Sequence, residues 1–319
     1  MNEPRIVIVG FPSVQILDVT GPLEVFSTAS RFLPIPRYAT QLVSTHGGPV
    51  LSTSGLEFAT VPIGDVVGGI DTLVVAGGSD MDAAAGDPRL VDSIRRLALL
   101  SRRVTSVCSG AFLLAAAGLL DGRRATTHWA ECDTLGRAYP RVAVEPDAIY
   151  VQDGNVWTSA GVTAGIDLAL ALVADDHGRA AAATVARRLV VYLRRSGGQA
   201  QFSALLAAQS ANDEPIRDVL AWVPDNLTAD LSITAMATRA HLSERQFSRV
   251  FKSEVGITPA GHVEAVRLEA ACSLLETTRL SVEEVARACG FGTPETMNRA
   301  FRRRLNTTPG DHRDHFGPA

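Results

Sequence analysis

The sequence has no long apolar run. Its longest, Ala111–Leu120, is ten residues, about half of what a bilayer-spanning helix needs. The first ten residues hold one arginine, and no small-residue cleavage site follows, which argues against a secretory leader. Cysteine is sparse and dispersed. Cys108, Cys132, Cys272 and Cys289 form no Cys-x-x-Cys pair, so neither a disulfide framework nor a zinc ribbon is expected, and a reducing, cytoplasmic setting is. The seven histidines include no His-Glu-x-x-His motif, and neither a metal nor another cofactor is expected. Lysine is nearly missing, since Lys252 is the single one among 30 basic residues. A basic excess is missing too. The net charge is −4, with 17 Arg/Lys against 19 Asp/Glu in residues 1–210 and 13 against 15 in residues 211–319. Bulk charge therefore gives no reason to expect nucleic acid, and any such expectation must rest on local placement.

What the chain does have is enough apolar material for a core. Its 319 residues are 46% hydrophobic and 20% charged, which suggests two domains. The first half alternates short β runs with helical patterns. Strands are expected at Arg5–Gly10, Ala39–Ser44, Asp71–Ala76 and Val104–Val107. Helices are expected from Gly21-Pro22 to about Ser30, over Pro88–Arg102, and over Ser109–Leu120. This rhythm implies a parallel sheet covered on both faces, the α/β class. Val142–Ser159 reads as antiparallel strands around Asp153-Gly154-Asn155, followed by helices near Thr163–Asp175 and Arg179–Arg194. A polar, glycine-containing stretch over residues 195–212 then reads as a linker between domains at 1–194 and 213–319. Beyond Asp213 no strand is expected.

The second half repeats itself. Leu231, Ser232 and Ala237 recur as Leu280, Ser281 and Ala286, 49 residues on. Arg249, Phe251, Thr258, Pro259 and His262 recur as Arg299, Phe301, Thr308, Pro309 and His312, 50 residues on. Each copy has helix-turn-helix character. In the first, Ser232–Ala240 forms a helix with Ile233, Met236 and Ala237 on one face, His241-Leu242 turns, and Ser243 caps a second helix. Phe247, Val250 and Phe251 face inward there, leaving Arg245, Ser248, Arg249 and Lys252 on an outer stripe. In the second copy Ser281 caps Val282–Cys289, Gly290-Phe291-Gly292 turns, and Pro294 starts the next helix. Met297, Ala300 and Phe301 face inward; Glu295, Asn298, Arg299 and Arg302 face out. Basic and amide groups thus sit where a recognition helix meets base edges. Arg302-Arg303-Arg304 adds a cluster suited to phosphates.

Here the chain resembles the AraC/XylS regulators, most tellingly in Ala286-Arg-Ala-Cys-Gly-Phe-Gly-Thr-Pro-Glu-Thr-Met297. The resemblance implies two helix-turn-helix units joined by a helix near Ala260–Glu276. It also implies base-reading roles for Arg245, Ser248 and Arg249, and for Glu295, Asn298 and Arg299. Two departures stand out: Asn306 replaces the glycine of the first copy's Gly256, and His312 stands where the family usually has Tyr.

Val104-Thr-Ser-Val-Cys-Ser-Gly-Ala111 reads as a strand, a cysteine and a tight turn into a helix. Such an elbow holds Cys108 exposed at a helix N-terminus, where a thiolate is favoured. The alternative is a buried, inert cysteine. Residues 5–190 resemble the ThiJ/PfpI family, with its class I glutamine amidotransferase-like, flavodoxin-like fold. Leu17-Asp-Val-Thr-Gly-Pro-Leu-Glu-Val-Phe26, Val75-Ala-Gly-Gly78 and Arg124-Ala-Thr-Thr-His-Trp129 carry that match. In relatives such as isonitrile hydratases, an acid at the Asp18 position lies beside the cysteine and glycines like Gly77-Gly78 line the pocket. The resemblance thus implies a ligand pocket of Asp18, Gly77, Gly78, Cys108, Ser109 and His128. Read from the residues alone, Asp18 is equally well a turn cap, and His128 is better read as a half-buried hydrogen-bonded ring than as a base. Many PfpI-type peptidases carry His directly after the nucleophile. This chain has Ser109, which removes an adjacent base. Gly161–Asp167 resembles a pocket-edge stretch, and reads otherwise as a helix start capped by Thr163.

The combination resembles GlxA-type regulators. It implies a non-enzymatic, ligand-responsive transcription regulator, an α/β sensing domain followed by an all-α tandem helix-turn-helix domain. Its implied partners are double-stranded DNA, a small-molecule effector, a second copy bound through the first domain, and RNA polymerase, with no membrane. The competing expectation is a Cys108-dependent hydratase or hydrolase carrying a DNA-binding appendage. A redox switch at Cys108 ranks last, since no other cysteine is near it in sequence to resolve a sulfenic acid.

Overall fold

The computed structural model describes residues 3–191, 213–305 and 307–316. The chain divides into two compact units, Met1–Arg195 and Ser196–Ala319. The linker expected at 195–212 and the turn residue Asn306 lie outside the described residues.

The first unit is built on an eight-stranded sheet. Its strands are β1 (Arg5–Val9), β2 (Ala39–Ser44), β3 (Gly48–Leu51), β4 (Glu57–Pro62), β5 (Ile70–Val75), β6 (Ser101–Ser106), β9 (Tyr150–Asp153) and β10 (Val156–Ser159). They run in the order β3-β4-β2-β1-β5-β6-β10-β9. The six inner strands are parallel; β3 and β9 run antiparallel at the edges. A short parallel pair, β7 (Arg124–Ala125) with β8 (Ala143–Val144), stands apart. The β1 and β5 side chains are almost wholly buried because helices cover both faces. These helices are α1 (Ile16–Phe32), α2 (Met81–Gly86), α3 (Pro88–Leu99), α4 (Ala111–Ala116), α5 (Cys132–Ala138), α6 (Ala164–His177) and α7 (Arg179–Leu189).

The α/β class is as expected; several boundaries are not. Helix α1 begins five residues before Gly21, so Pro22 lies inside it. Proline ordinarily opens a helix because its missing N–H costs nothing in the first turn. Here the turn before it forms anyway, with Val19, Val25 and Phe26 in the core. Helix α3 ends at Leu99, and Arg102 belongs to β6. The apolar helix after the cysteine spans only Ala111–Ala116, behind a 3-10 turn at Cys108–Gly110. Strand β6 is pinned at its start, where buried Arg103 pairs with Asp176 at 2.5 Å and Asp175 at 3.2 Å on α6. Tyr38 donates to the same Asp176 at 3.0 Å.

Among its described residues the second unit has helices joined by turns and no strand. It comprises α8 (Glu214–Asp225), α9 (Ile233–Arg239), α10 (Glu244–Val255), α11 (Pro259–Thr277), α12 (Val282–Ala288), α13 (Pro294–Leu305) and α14 (Pro309–Phe316). Two hydrophobic clusters form. One gathers α8, α9 and α10 with Val263 and Val266; the other gathers α12 and α13 with Leu268, Ala271, Cys272 and Leu275. Each is one copy of the sequence repeat, and α11 runs through both. Ile233, expected inside, is 38% exposed.

Candidate functional site

Two regions gather the residues singled out in the sequence. The first lies at the carboxyl ends of β5 and β6. Val107 N–H donates to Val75 O at 3.0 Å, tying the two strand ends together. Cys108 follows at φ +55°, a left-handed conformation that costs a non-glycine residue ~1–2 kcal/mol. The turn is held there by neighbours. Cys108 N–H donates to Ala160 O at 3.1 Å, and Thr127 Oγ1 donates to Cys108 O at 2.9 Å. Gly110 completes it, because a Cβ there would sit 2.3 Å from Val75 O. The backbone elbow expected from the sequence forms, but the sulfur it was expected to expose is buried.

Its electrostatics differ from expectation. Cys108 is 8% exposed. Burial, then the charge of Asp18, push its thiol up to about 11. The helix N-terminus that favours a thiolate is outweighed by desolvation and by an acidic neighbour. Asp18, in the first turn of α1, is fully buried. Its Oδ2 accepts Gly77 N–H at 3.0 Å, and the Cys108 thiol is its other polar neighbour. Burial pushes the carboxyl up to about 7, those two hydrogen bonds notwithstanding. Asp18 is thus an acid that burial makes reluctant to ionise, beside a neutral thiol. The turn-cap reading does not describe it, since the helix has already begun at Ile16.

Gly77 and Gly78 close the other wall. A Cβ on Gly77 would lie 2.6 Å from Ser109 Oγ and 2.9 Å from Asp18 Oδ2. Ser109 Oγ accepts Gly78 N–H at 3.1 Å and donates to Gly78 O at 3.1 Å. Ser109, standing where a peptidase would carry its base, holds the glycine turn and also faces the Cys108 thiol.

His128 caps the 3-10 turn Trp129–Glu131, its Nδ1 accepting Ala130 N–H at 3.3 Å. Its ring packs so closely on Gly161 that a Cβ there would lie 2.3 Å from Cδ2. Burial lowers its pKa and keeps it neutral. The half-buried, hydrogen-bonded reading of His128 fits this environment. Next to Gly161, the Val162 backbone sits at φ +41° and offers its amide to the Cys108 sulfur. The Gly161–Asp167 stretch therefore reaches the site, and Thr163 makes no side-chain cap. Its signal was the second glycine, Gly165, where a Cβ would lie 2.7 Å from Val107 Cγ1.

The second region is the pair of outer helix faces in the second unit. Helix α10 starts with a full capping box between Ser243 and Gln246. It buries Phe247 and Phe251 and exposes Arg245, Arg249 and Lys252. Ser248 is half-buried and its hydroxyl donates back to Glu244 O at 2.7 Å. Helix α13 buries Met297, Ala300 and Phe301 and exposes Glu295, Arg299, Arg302 and Arg303. Asn298 is half-buried, and its Oδ1 has no hydrogen-bond partner. The three-arginine cluster is divided: Arg303 pairs with Glu264 of α11, and Arg304 Nε reaches the same carboxylate at 3.1 Å. Two of the three guanidiniums are thus held within the protein, a restraint that a run of adjacent arginines cannot reveal.

Residues 4–175 match the DJ-1/PfpI family, and residues 236–315 match a helix-turn-helix domain family. The chain is 32% identical over 308 residues to the HTH-type transcriptional regulator CdhR of Pseudomonas aeruginosa, covering 95% of this chain and 89% of that one. It is 40% identical over 167 residues to an isonitrile hydratase of Pseudomonas putida, covering 52% of this chain and 68% of the hydratase. A crystal structure of a ThiJ/PfpI family protein from Pseudomonas syringae, 31% identical, aligns with a TM-score of 0.54, covering 59% of this chain and 75% of that one.

Proposed function

The chain belongs to the DJ-1/PfpI family, and from that premise we propose that its Asp18–Cys108 pocket is the sensor of a DNA-binding transcription regulator. That it is such a regulator follows from the pairing of this domain with an AraC-type helix-turn-helix unit, matched to a transcriptional regulator along nearly the whole chain. The single observation that carries the DNA reading is duplicated. In each copy the second helix buries two large side chains and turns arginines outward, Arg245 and Arg249 in one, Arg299 and Arg302 in the other. Two recognition helices on one chain engage successive major grooves about 10 bp apart. Footprinting of the full-length chain on a duplex selected from a randomised library tests this. Protection of a single groove per protomer contradicts it.

The sensing role rests on the pocket's chemistry. Its thiol is protonated, its histidine is neutral, and the Ser109 hydroxyl is shared between the glycine turn and the thiol. Such groups bind a guest by hydrogen bonds more readily than they attack one. An effector bound there shifts the population of DNA-competent dimers paired through the first unit. RNA polymerase and a cytoplasmic setting complete this reading. Among the described residues, no helix is long and apolar enough to cross a membrane.

One observation favours a Cys108-dependent hydratase as the second reading. The Asp18 carboxyl, raised to about 7, lies beside the thiol, and could exchange a proton with a substrate carbon or nitrogen. A metabolite-library thermal shift on the full-length chain, repeated with Cys108→Ser, separates the two. Retained ligand shift and retained DNA response without turnover establish a sensor. Turnover by the wild type that Cys108→Ser abolishes establishes an enzyme.

A further inference from the structure

The boundary between the two helix-turn-helix cores falls at one residue. Val263 and Val266 of α11 belong to the first cluster and Leu268, Ala271, Cys272 and Leu275 to the second. Arg267 sits at the seam between them. Its Nε and Nη2 both donate to the Leu227 carbonyl, at 3.1 and 2.9 Å. Leu227 lies in the segment that leads into the first helix-turn-helix. The same carbonyl presses on the turn of the second. A Cβ on Gly290 would lie 1.9 Å from Leu227 O and 2.9 Å from Arg267 Nε. One backbone oxygen thus joins the lead of the first unit, the middle of the shared helix and the turn of the second. Close by, the two helix-turn-helix cores flank a cleft of about 450 Å³, lined by Leu231, Val263 and Glu264 on one side and Phe291, Arg299 and Arg303 on the other, with Glu264 paired to Arg303 across it.

The repeat itself provides an internal control. Gly290 corresponds to His241, 49 residues earlier. Both turns have the same form: Leu242 N–H closes on Ala237 O, and Phe291 N–H closes on Ala286 O. Both residues are left-handed, at φ +55° and +73°. The first copy tolerates a full side chain in that conformation. The second does not, because the Leu227 carbonyl occupies the place of its Cβ. Glycine at 290 is therefore required by the approach of the other unit and not by the turn alone.

We infer that Arg267 is a positioning residue which, through the Leu227 carbonyl and Gly290, fixes the angle between the two recognition helices and so the half-site spacing the protein accepts. Without it, two separate cores can rock about one continuous helix, and each recognition helix still finds a major groove while the distance between grooves is no longer enforced. The inference rests on the DNA-binding reading above.

The test uses full-length wild type and Arg267→Met. The probe is the duplex that the wild type selects from a randomised library, together with versions carrying 2 bp inserted between its half-sites. Wild type is expected to bind the lengthened duplex at least 30-fold more weakly. Arg267→Met is expected to lose less than 5-fold on the same insertion, with an unchanged circular-dichroism melt. If Arg267→Met does not fold, Arg267→Gln, which keeps a donor for the carbonyl, carries the test with an expected penalty near 10-fold. A variant with the full wild-type penalty, or a wild type with no penalty, overturns the inference alone. A wild type that selects no duplex overturns the DNA-binding reading and this inference with it.

Discussion

The two helix-turn-helix copies are close in backbone and differ in what touches them. Each has a histidine one turn into the helix that follows, edge-on to a buried phenylalanine: His262 on Phe251 and His312 on Phe301, both at 5.6 Å between centroids. His312 Nε2 meets Glu276 Oε1 at 2.9 Å, whereas both ring nitrogens of His262 are buried without a hydrogen-bond partner. Gly290 replaces His241 because a carbonyl approaches it. Residues shared by the copies therefore report the common fold. Residues that differ report each copy's surroundings.

Substitutions at the differing positions break or sharpen that contrast. Gly290→Ala is expected to be the most damaging. Overpacking against a backbone carbonyl combined with a left-handed alanine should cost about 4 kcal/mol, read by urea unfolding of the full-length chain. Next comes acid. Burial lowers His262 to about 4, from the ordinary 6.5, so below pH 6.5 the unfolded chain takes up a proton that the folded one refuses. The stability that this group contributes is complete above pH 6.5 and is lost as pH falls through 4, by about 3 kcal/mol in total. His262→Leu should remove that slope from the pH dependence of unfolding, and an unchanged slope would place its origin elsewhere. Arg249→Ala and Arg299→Ala should each weaken binding to the selected duplex by about 1–3 kcal/mol. Arg303→Ala should weaken it less, since Glu264 already holds that side chain. Wild-type affinity in both of the first two variants refutes a base-reading role. The smallest effect has the opposite sign. His241→Gly relieves a left-handed side chain and should stabilise by about 1 kcal/mol at most, the reverse of alanine at 290.

Much of this was legible in the sequence, for reasons that name the exceptions. The repeat was readable because Phe247 with Phe251, and Met297 with Phe301, keep helical spacing and can only face inward. The parallel sheet was readable from short apolar runs ended by glycine, while β3 and β4 were missed because an edge strand and its neighbour, with exposed Leu51 and Val61, carry no buried pattern. The start of α1 was misplaced because Gly21-Pro22 imitates a boundary, although Val19 before it is buried in the core. The elbow at Cys108 was legible as backbone. Its protonation was not, because that depends above all on the exclusion of water around the thiol, which local spacing does not announce. Glu264 masking Arg303, and Leu227 meeting Gly290, are distant pairings that it does not announce either.

Helix Pro259–Thr277 lends side chains to both clusters of the second unit. Melting either half strips that rod of support on one flank and exposes apolar surface along the other. The halves are therefore coupled as a single cooperative block, and calorimetry should record one endotherm for them, its van't Hoff enthalpy equal to the heat absorbed.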